Sequence, residues 1–212
     1  KTLRNAFSVK DIRDRILFTF LMLIVIRIGS QLPVPGVNGD VFRSWFESQA
    51  AGLGFFDAIT GGSFLSMSVF ALNITPYITS SIIMQLLTIA IPALEELQKD
   101  GEDGRKKINK MSRYVTVALA LIQSTAMSVA FGRQGLLLEY NFWNVAVVVL
   151  TMTAGSSFLM WAGERITEKG IGNGISMILF AGIVARMPTT IANLYQYMDK
   201  GGVYFALVPI AA

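Results

Sequence analysis

Residues 70–91, FALNITPYITSSIIMQLLTIAI, run without a single formal charge, and this run constrains the chain more than any other. Its 22 residues, at a helical rise of ~1.5 Å each, reach across a hydrocarbon layer of ~30 Å. Yet Asn73, Thr75, Thr79, Ser80, Ser81, Gln85 and Thr88 lie inside it, and Pro76 sits near its start. Polar side chains persist at membrane depth only where protein or water covers them. The run is therefore expected to line an interior surface rather than to face lipid all round.

Other apolar windows of similar length follow, and only 15% of the 212 residues are charged, against ~25% in soluble domains. The chain reads as an integral membrane protein. It has no cysteine and no histidine, which excludes disulfides, Cys/His zinc sites and a histidine general base. Residues 1–15, with five basic and two acidic side chains, form an amphipathic surface segment and not a signal peptide, because no small-residue cleavage site follows.

Residues 16–32 make the first span. Arg27 near its far end has two readings, snorkelling to headgroups or a buried contact to a loop or another subunit. PVPG ends the helix, and residues 40–49 suggest a surface helix with Trp45 and Phe46 at the membrane interface. Residues 53–68, with Asp57, Gly61, Gly62 and three serines, are too short to cross and too apolar for a free loop. A half-penetrating or cavity-filling helix fits them. The 70–91 span follows, with Pro76 able to bend it. Residues 95–113 pack eleven charges into nineteen positions and read as a loop, either a hairpin or two short helices joined by GEDG. Further spans are expected at 111–131, at 142–163, where Gly155, Ser156, Ser157 and Gly163 permit close packing, and from about 172 past Pro188. Glu164 and Arg165 read as surface charges of a turn over 164–174. A loop over 190–202 offers Tyr195 and Tyr197 as interface anchors. Residues 203–212 open a sixth apolar stretch too short to span, as expected of a piece of a longer protein.

Alternating the loops places thirteen Lys and Arg on one side and four on the other, with Arg27 within a span. The positive-inside rule puts the first side, with the N-terminus, in the cytosol. This works only if residues 53–68 do not cross fully.

No nucleophile-elbow, phosphate-loop or zinc-protease motif occurs, so no catalytic site is expected. What remains is surface. Ile74 and Ile78 repeat one helical turn apart, as do Ile175 and Leu179. They read either as ordinary packing or lipid contact, or as a hydrophobic constriction.

The stretches FFDAITGG, FLSMSVFALNITPYITSSIIMQLL, EELQKDGEDGRKKINKMSRY and GERITEKGIGNGIS closely resemble the SecY family of bacterial protein-conducting channels, and the likeness extends over essentially the whole chain. The resemblance implies an all-α polytopic membrane protein of the SecY-type translocon fold, the N-terminal five-helix half of an inverted-repeat ten-helix shell. It divides the chain into a cytosolic segment 1–15, a half-channel 16–190 and an external loop with the start of a sixth helix over 191–212. It implies a plug over 53–68 (Phe55, Phe56, Ile59, Gly61, Gly62, Phe64, Leu65 and Met67) and a pore ring of Ile74, Ile78, Ile175 and Leu179. The last stands where isoleucine is common in the family, a neutral change. The lateral gate would include Thr79, Ile82, Ile83 and Gln123.

By the same resemblance the protein passes unfolded secretory polypeptides across the bacterial cytoplasmic membrane and releases transmembrane segments into lipid. It is not an enzyme and needs no cofactor or metal. Its implied partners are SecE, SecG, the SecA ATPase, the ribosome–nascent chain complex, signal sequences, precursor polypeptides and membrane lipid. Two rivals make contrary demands. Half of an inverted-repeat secondary transporter would need charged or clustered polar groups at mid-depth, where this chain has no carboxylate. A purely scaffolding subunit would tolerate polar residues at Ile74 and Ile78.

Overall fold

The computed structural model describes residues 10–48, 60–64 and 66–201. Seven helices run through them: α1 (Lys10–Gly29), α2 (Gly39–Ser48), α3 (Thr75–Ala90), α4 (Pro92–Lys99), α5 (Glu102–Arg133), α6 (Phe142–Lys169) and α7 (Gly174–Gly201).

α1 runs unbroken from Lys10, so the described part of the expected surface segment, residues 10–15, is the start of the span itself. Nothing at Arg15–Ile16 disfavours helix, and lysine and arginine are good helix formers. Thr19, Met22 and Ile26 form its buried stripe, while Leu17, Phe20, Leu21, Ile24 and Ile28 point outward and are exposed. A helix apolar on every side suits lipid on one face and protein on the other. Beyond it the chain doubles against the segment preceding α3. The Val34 amide donates to the Met67 carbonyl (2.8 Å) and the Val69 amide to the Leu32 carbonyl (3.0 Å).

α2 buries Phe42 completely, its ring 5.1 Å from that of Phe131. Trp45, expected at the membrane interface, is half-buried in this aromatic cluster, 6.3 Å from Phe131.

The apolar run of 70–91 is helical only from Thr75. Asn73 takes the left-handed conformation (φ 51°), so the backbone of 70–74 turns before the helix begins. Pro76 lies in the first turn of α3 and starts the helix instead of bending it. Its locked φ suits that position and its missing N–H costs nothing there. The sharp bend comes at the other end, where Pro92 opens α4 at 102° to α3. On α4, Lys99 hydrogen-bonds Glu95 (2.7 Å) and holds its carboxyl below the ordinary pKa.

The charged stretch 95–113 is mostly helix: α4, a turn through Gly101 (φ 76°) and the opening of α5. α6 likewise continues past Gly163 to Lys169, so Glu164 and Arg165 lie on its last turns. α7 passes through Pro188 and includes residues 190–201, read from sequence as a loop. By length and composition α5 and α6 can cross a membrane, and the bent pair α3–α4 makes a third candidate. α1 carries charges at both ends, and the apolar part of α7, Gly174–Ala185, is shorter than a full span.

α6 is the packing centre. At Gly155 an added Cβ would strike the Val69 carbonyl, and at Gly163 it would press on Ile175 (3.2 Å), Ile178 (3.5 Å) and Ile74 (3.6 Å). Hydroxyls join the helices where they meet. Ser80 Oγ donates to the Ser112 carbonyl (2.7 Å), linking α3 to α5. Ser124 and Thr153 share a hydrogen bond of 3.0 Å between α5 and α6, and Ser156 Oγ donates to the Asn73 carbonyl (3.2 Å).

The two ends of the bundle differ in charge. At one, Arg15 donates to the Gly170 carbonyl (3.4 Å), Thr19 Oγ1 accepts from the Ile171 amide (3.1 Å), and Arg113 pairs with Glu164 (2.8 Å). At the other, the Leu138 amide donates to Gly36 (3.0 Å) and the Asn38 amide to Leu136 (3.2 Å). The start of α1, the basic opening of α5 and the 170–173 turn thus share one end, as the alternation of charged loops requires.

Replacing Gly155 by Leu should lower stability by about 1–3 kcal/mol, because the backbone of Val69 cannot step aside. Thermal unfolding in detergent would register this as a lower Tm. An unchanged Tm would contradict so close an approach of α6 to residue 69.

Candidate pore and gate surface

Four aliphatic side chains singled out by spacing meet in one place. Ile74 and Ile78 come from the start of α3, Ile175 and Leu179 from the start of α7, and all belong to a single apolar cluster with Met22, Phe70, Leu159 and Ile178. They meet because Gly163 on α6 lets both helix starts approach it. Their exposure differs. Ile74 is 0% exposed, whereas Ile78, Ile175 and Leu179 are half-buried. Ile178 is also buried and reaches Gly163, a member that an i, i+4 reading from Ile175 passes over. The i, i+3 spacing from Ile175 was the available signal for it.

Beside this cluster lies the segment preceding α3. Of the segment expected as a half-penetrating helix, Thr60 is helical, while residues 61–64, 66 and 67 form tight turns, since Gly61 (φ 64°), Gly62 (φ 90°) and Met67 (φ 39°) take left-handed backbone; residues 53–59 lie outside the described residues. Ser63 and Met67 are buried, and the Phe64 ring sits 5.9 Å from Phe42 in an edge-on contact. Phe55, Phe56, Ile59 and Leu65 lie outside the described residues. Arg27 takes the second of its two readings: its guanidinium donates to the Gly61 carbonyl at 3.2 Å.

The gate residues do not form one cluster. Gln123 on α5 lines an apolar groove of about 420 Å³ with Thr60, Phe64, Leu72, Thr75 and Met127, so it faces the 60–64 turn. Thr79 donates to the Thr75 carbonyl of its own helix (3.1 Å) instead of reaching Gln123. Ile82 is exposed and Ile83 half-buried on the following turn of α3.

Two features escaped the sequence reading. Ser81, Gln85, Thr88, Gln98, Arg105 and Asn109 line a polar recess of about 280 Å³ among α3, α4 and α5, at the charged end of the bundle. The polar letters of 81–88 signalled a covered surface, but only the α3–α4 bend places α4 over it. Glu164, taken as a surface charge, is 20% exposed and ties α6 to Arg113 of α5. Arg165 stays outside, paired with Glu168 (3.0 Å) and over the Trp161 ring.

Comparison with known proteins decides what this arrangement belongs to. The SecY family model matches residues 68–212. The chain belongs to the SecY family. The SecY translocase subunit of Pseudomonas aeruginosa is 48% identical over 205 residues, covering 96% of this chain and 46% of the relative. That of Escherichia coli is 42% identical over 207 residues, covering 95% and 47%. The chain thus spans about half the length of the curated SecY relatives it matches. Among solved structures, a protein-conducting channel matches with a TM-score of 0.65 at 17% identity, over 94% of this chain and 44% of that one. Sec61 in a canine ribosome–channel complex gives the same values. The fold is therefore the all-α fold of SecY and Sec61 channels, and this is a bacterial membrane protein.

The Arg113–Glu164 contact should contribute modestly, because Arg113 is 50% exposed at its side chain. A double-mutant cycle with Arg113→Ala and Glu164→Ala should return a coupling of ~0.2–1 kcal/mol that shrinks as salt is added. Coupling indistinguishable from zero at low salt would remove the pair as a tie between α5 and α6.

Proposed function

We propose that this chain is the N-terminal half of the central subunit of a protein-conducting channel in the bacterial cytoplasmic membrane, with its N-terminus in the cytosol. The observation that carries the reading is the convergence of Ile74, Ile78, Ile175 and Leu179 from two helices in a chain of the SecY family. Aliphatic side chains that meet at a narrow waist exclude water and ions while yielding to a passing polypeptide. The other half of the ring would come from the other half of the shell.

In this reading residues 53–68 are the plug and the face of α3 and α5 that carries Thr79, Ile82, Ile83 and Gln123 is one side of the lateral gate. A signal sequence enters between this face and its counterpart, the plug leaves the pore, and the aliphatic ring closes around the unfolded chain. Polar stretches then cross, while apolar stretches partition sideways into lipid, which solvates them better than a wet pore. The channel does no covalent chemistry. The driving force comes from the SecA ATPase or from a translating ribosome, with SecE bracing the shell and SecG accessory. The thirteen basic residues on one side against four on the other support the orientation. The basic opening of α5 and the 170–173 turn then offer a cytosolic contact surface. In this reading residues 1–15 lead into the first span, 16–190 make the half-channel and 191–212 lead to the second half.

In the full-length channel, Ile78→Asn should raise resting ion conductance in planar bilayers, because a polar side chain lets the constriction hold water. A leak equal to that of the unsubstituted channel would contradict the pore-ring assignment and favour a scaffolding role.

A further inference from the structure

The Arg27 contact has a geometry that simple packing does not require. Its guanidinium is permanently charged and carries five donors. It is half-buried near the end of α1, beside a cavity of about 20 Å³ shared with Ser30, Ser63 and Asn73. No ion pair to Arg27 occurs among the described residues, and its partner is the backbone carbonyl of Gly61. Gly61 is also closely packed by α7. A Cβ there would lie 2.8 Å from Arg27 Nη1 and 2.9 Å from both Cα and O of Gly182 on α7. With φ at 64°, the position takes glycine for conformation and for space.

The segment is anchored differently at its other end. There the Met67 carbonyl and the Val69 amide are paired with the backbone of residues 34 and 32, and Met67 has positive φ. One end of the 61–67 stretch is thus rooted by main-chain hydrogen bonds, and the other is gripped by a side chain from α1. A side-chain grip can be released without unfolding any helix.

We propose that Arg27 is a positioning residue that latches the plug in its seat, with Gly182 as the backstop and residues 67–69 as the root on which the segment swings. This deepens the reading of residues 53–68 as a plug and rests on it. A half-buried guanidinium that loses its acceptor forfeits a charge-assisted hydrogen bond, so the seated position is held until an incoming polypeptide supplies a carbonyl in place of that of Gly61. The latch then sets how readily the channel opens, not what passes through it.

The test uses the full-length channel in proteoliposomes, in a cysteine-free background carrying Ser63→Cys. Ser63 is 3% exposed in the seated segment, so its reaction with a membrane-impermeant maleimide from the outer face reports departure from the seat. Arg27→Gln should speed labelling about tenfold or more, the scale of losing a charge-assisted hydrogen bond. Arg27→Lys, which keeps a charged donor, should fall between. Gly61→Ala should speed labelling with Arg27 intact, and a stalled precursor should do so without any substitution at the latch. If the stalled precursor speeds labelling but Arg27→Gln and Gly61→Ala do not, the latch is overturned and the plug reading survives. If even the stalled precursor leaves Ser63→Cys protected, the segment does not move and both fall. Equal acceleration by Gln and Lys together with lost translocation would show a folding defect and overturn the latch too.

Discussion

Inside an apolar slab, a hydroxyl or a carbonyl has no water to turn to, and each must find its partner within the protein. This constraint organises the bundle around α6. Its glycines bring it against the Val69 backbone and against the start of α7, and its hydroxyls serve the neighbours that come so close. Ser156 supplies a donor for the Asn73 carbonyl in the turn before α3. The close approach and the hydrogen bond depend on each other. A bulkier residue at 155 would push residue 69 away and carry Asn73 from Ser156.

The same constraint explains why one uncharged run divides into two kinds of structure. Residues 70–74 spend their polar backbone on turns and on α6, and only then does α3 begin. The irregular stretch is tolerated because it is covered on both sides, by α1 with the 32–34 pairing and by α6. Its position also sets the candidate pore surface, since Ile74 lies at the junction of turn and helix. Had α3 started at residue 70, Ile74 would sit a full turn inside the helix and its relation to Ile175 would be different.

The architecture was legible because hydropathy at this length scale has few solutions, and the stretches of motif resemblance extend over most of the chain. The apolar windows located the helices, and the basic stretches fell at one end. Boundaries were less legible. Leu, Ile and Phe read alike in turn and helix, so nothing announced that the backbone reverses at Asn73. Lys, Arg and Glu favour loops by charge but helices by propensity, and at 102–113 propensity prevailed. Arg27 could not be decided from its own neighbours, because its acceptor lies 34 residues away. Nor could the hydroxyl of Thr79 be read to bond within its own helix while Gln123 of α5 lines the groove beside Thr60 and Phe64.

The central claim is that the starts of α3 and α7 face a translocating polypeptide. A photoreactive side chain at Ile78 and, separately, at Ile175 of the full-length channel tests it most directly, with a secretory precursor stalled partway across the membrane. The account predicts adducts to the precursor from both positions, each dependent on a functional signal sequence. Adducts to lipid alone from both, while unsubstituted channels in the same membranes hold the precursor stalled, would contradict it.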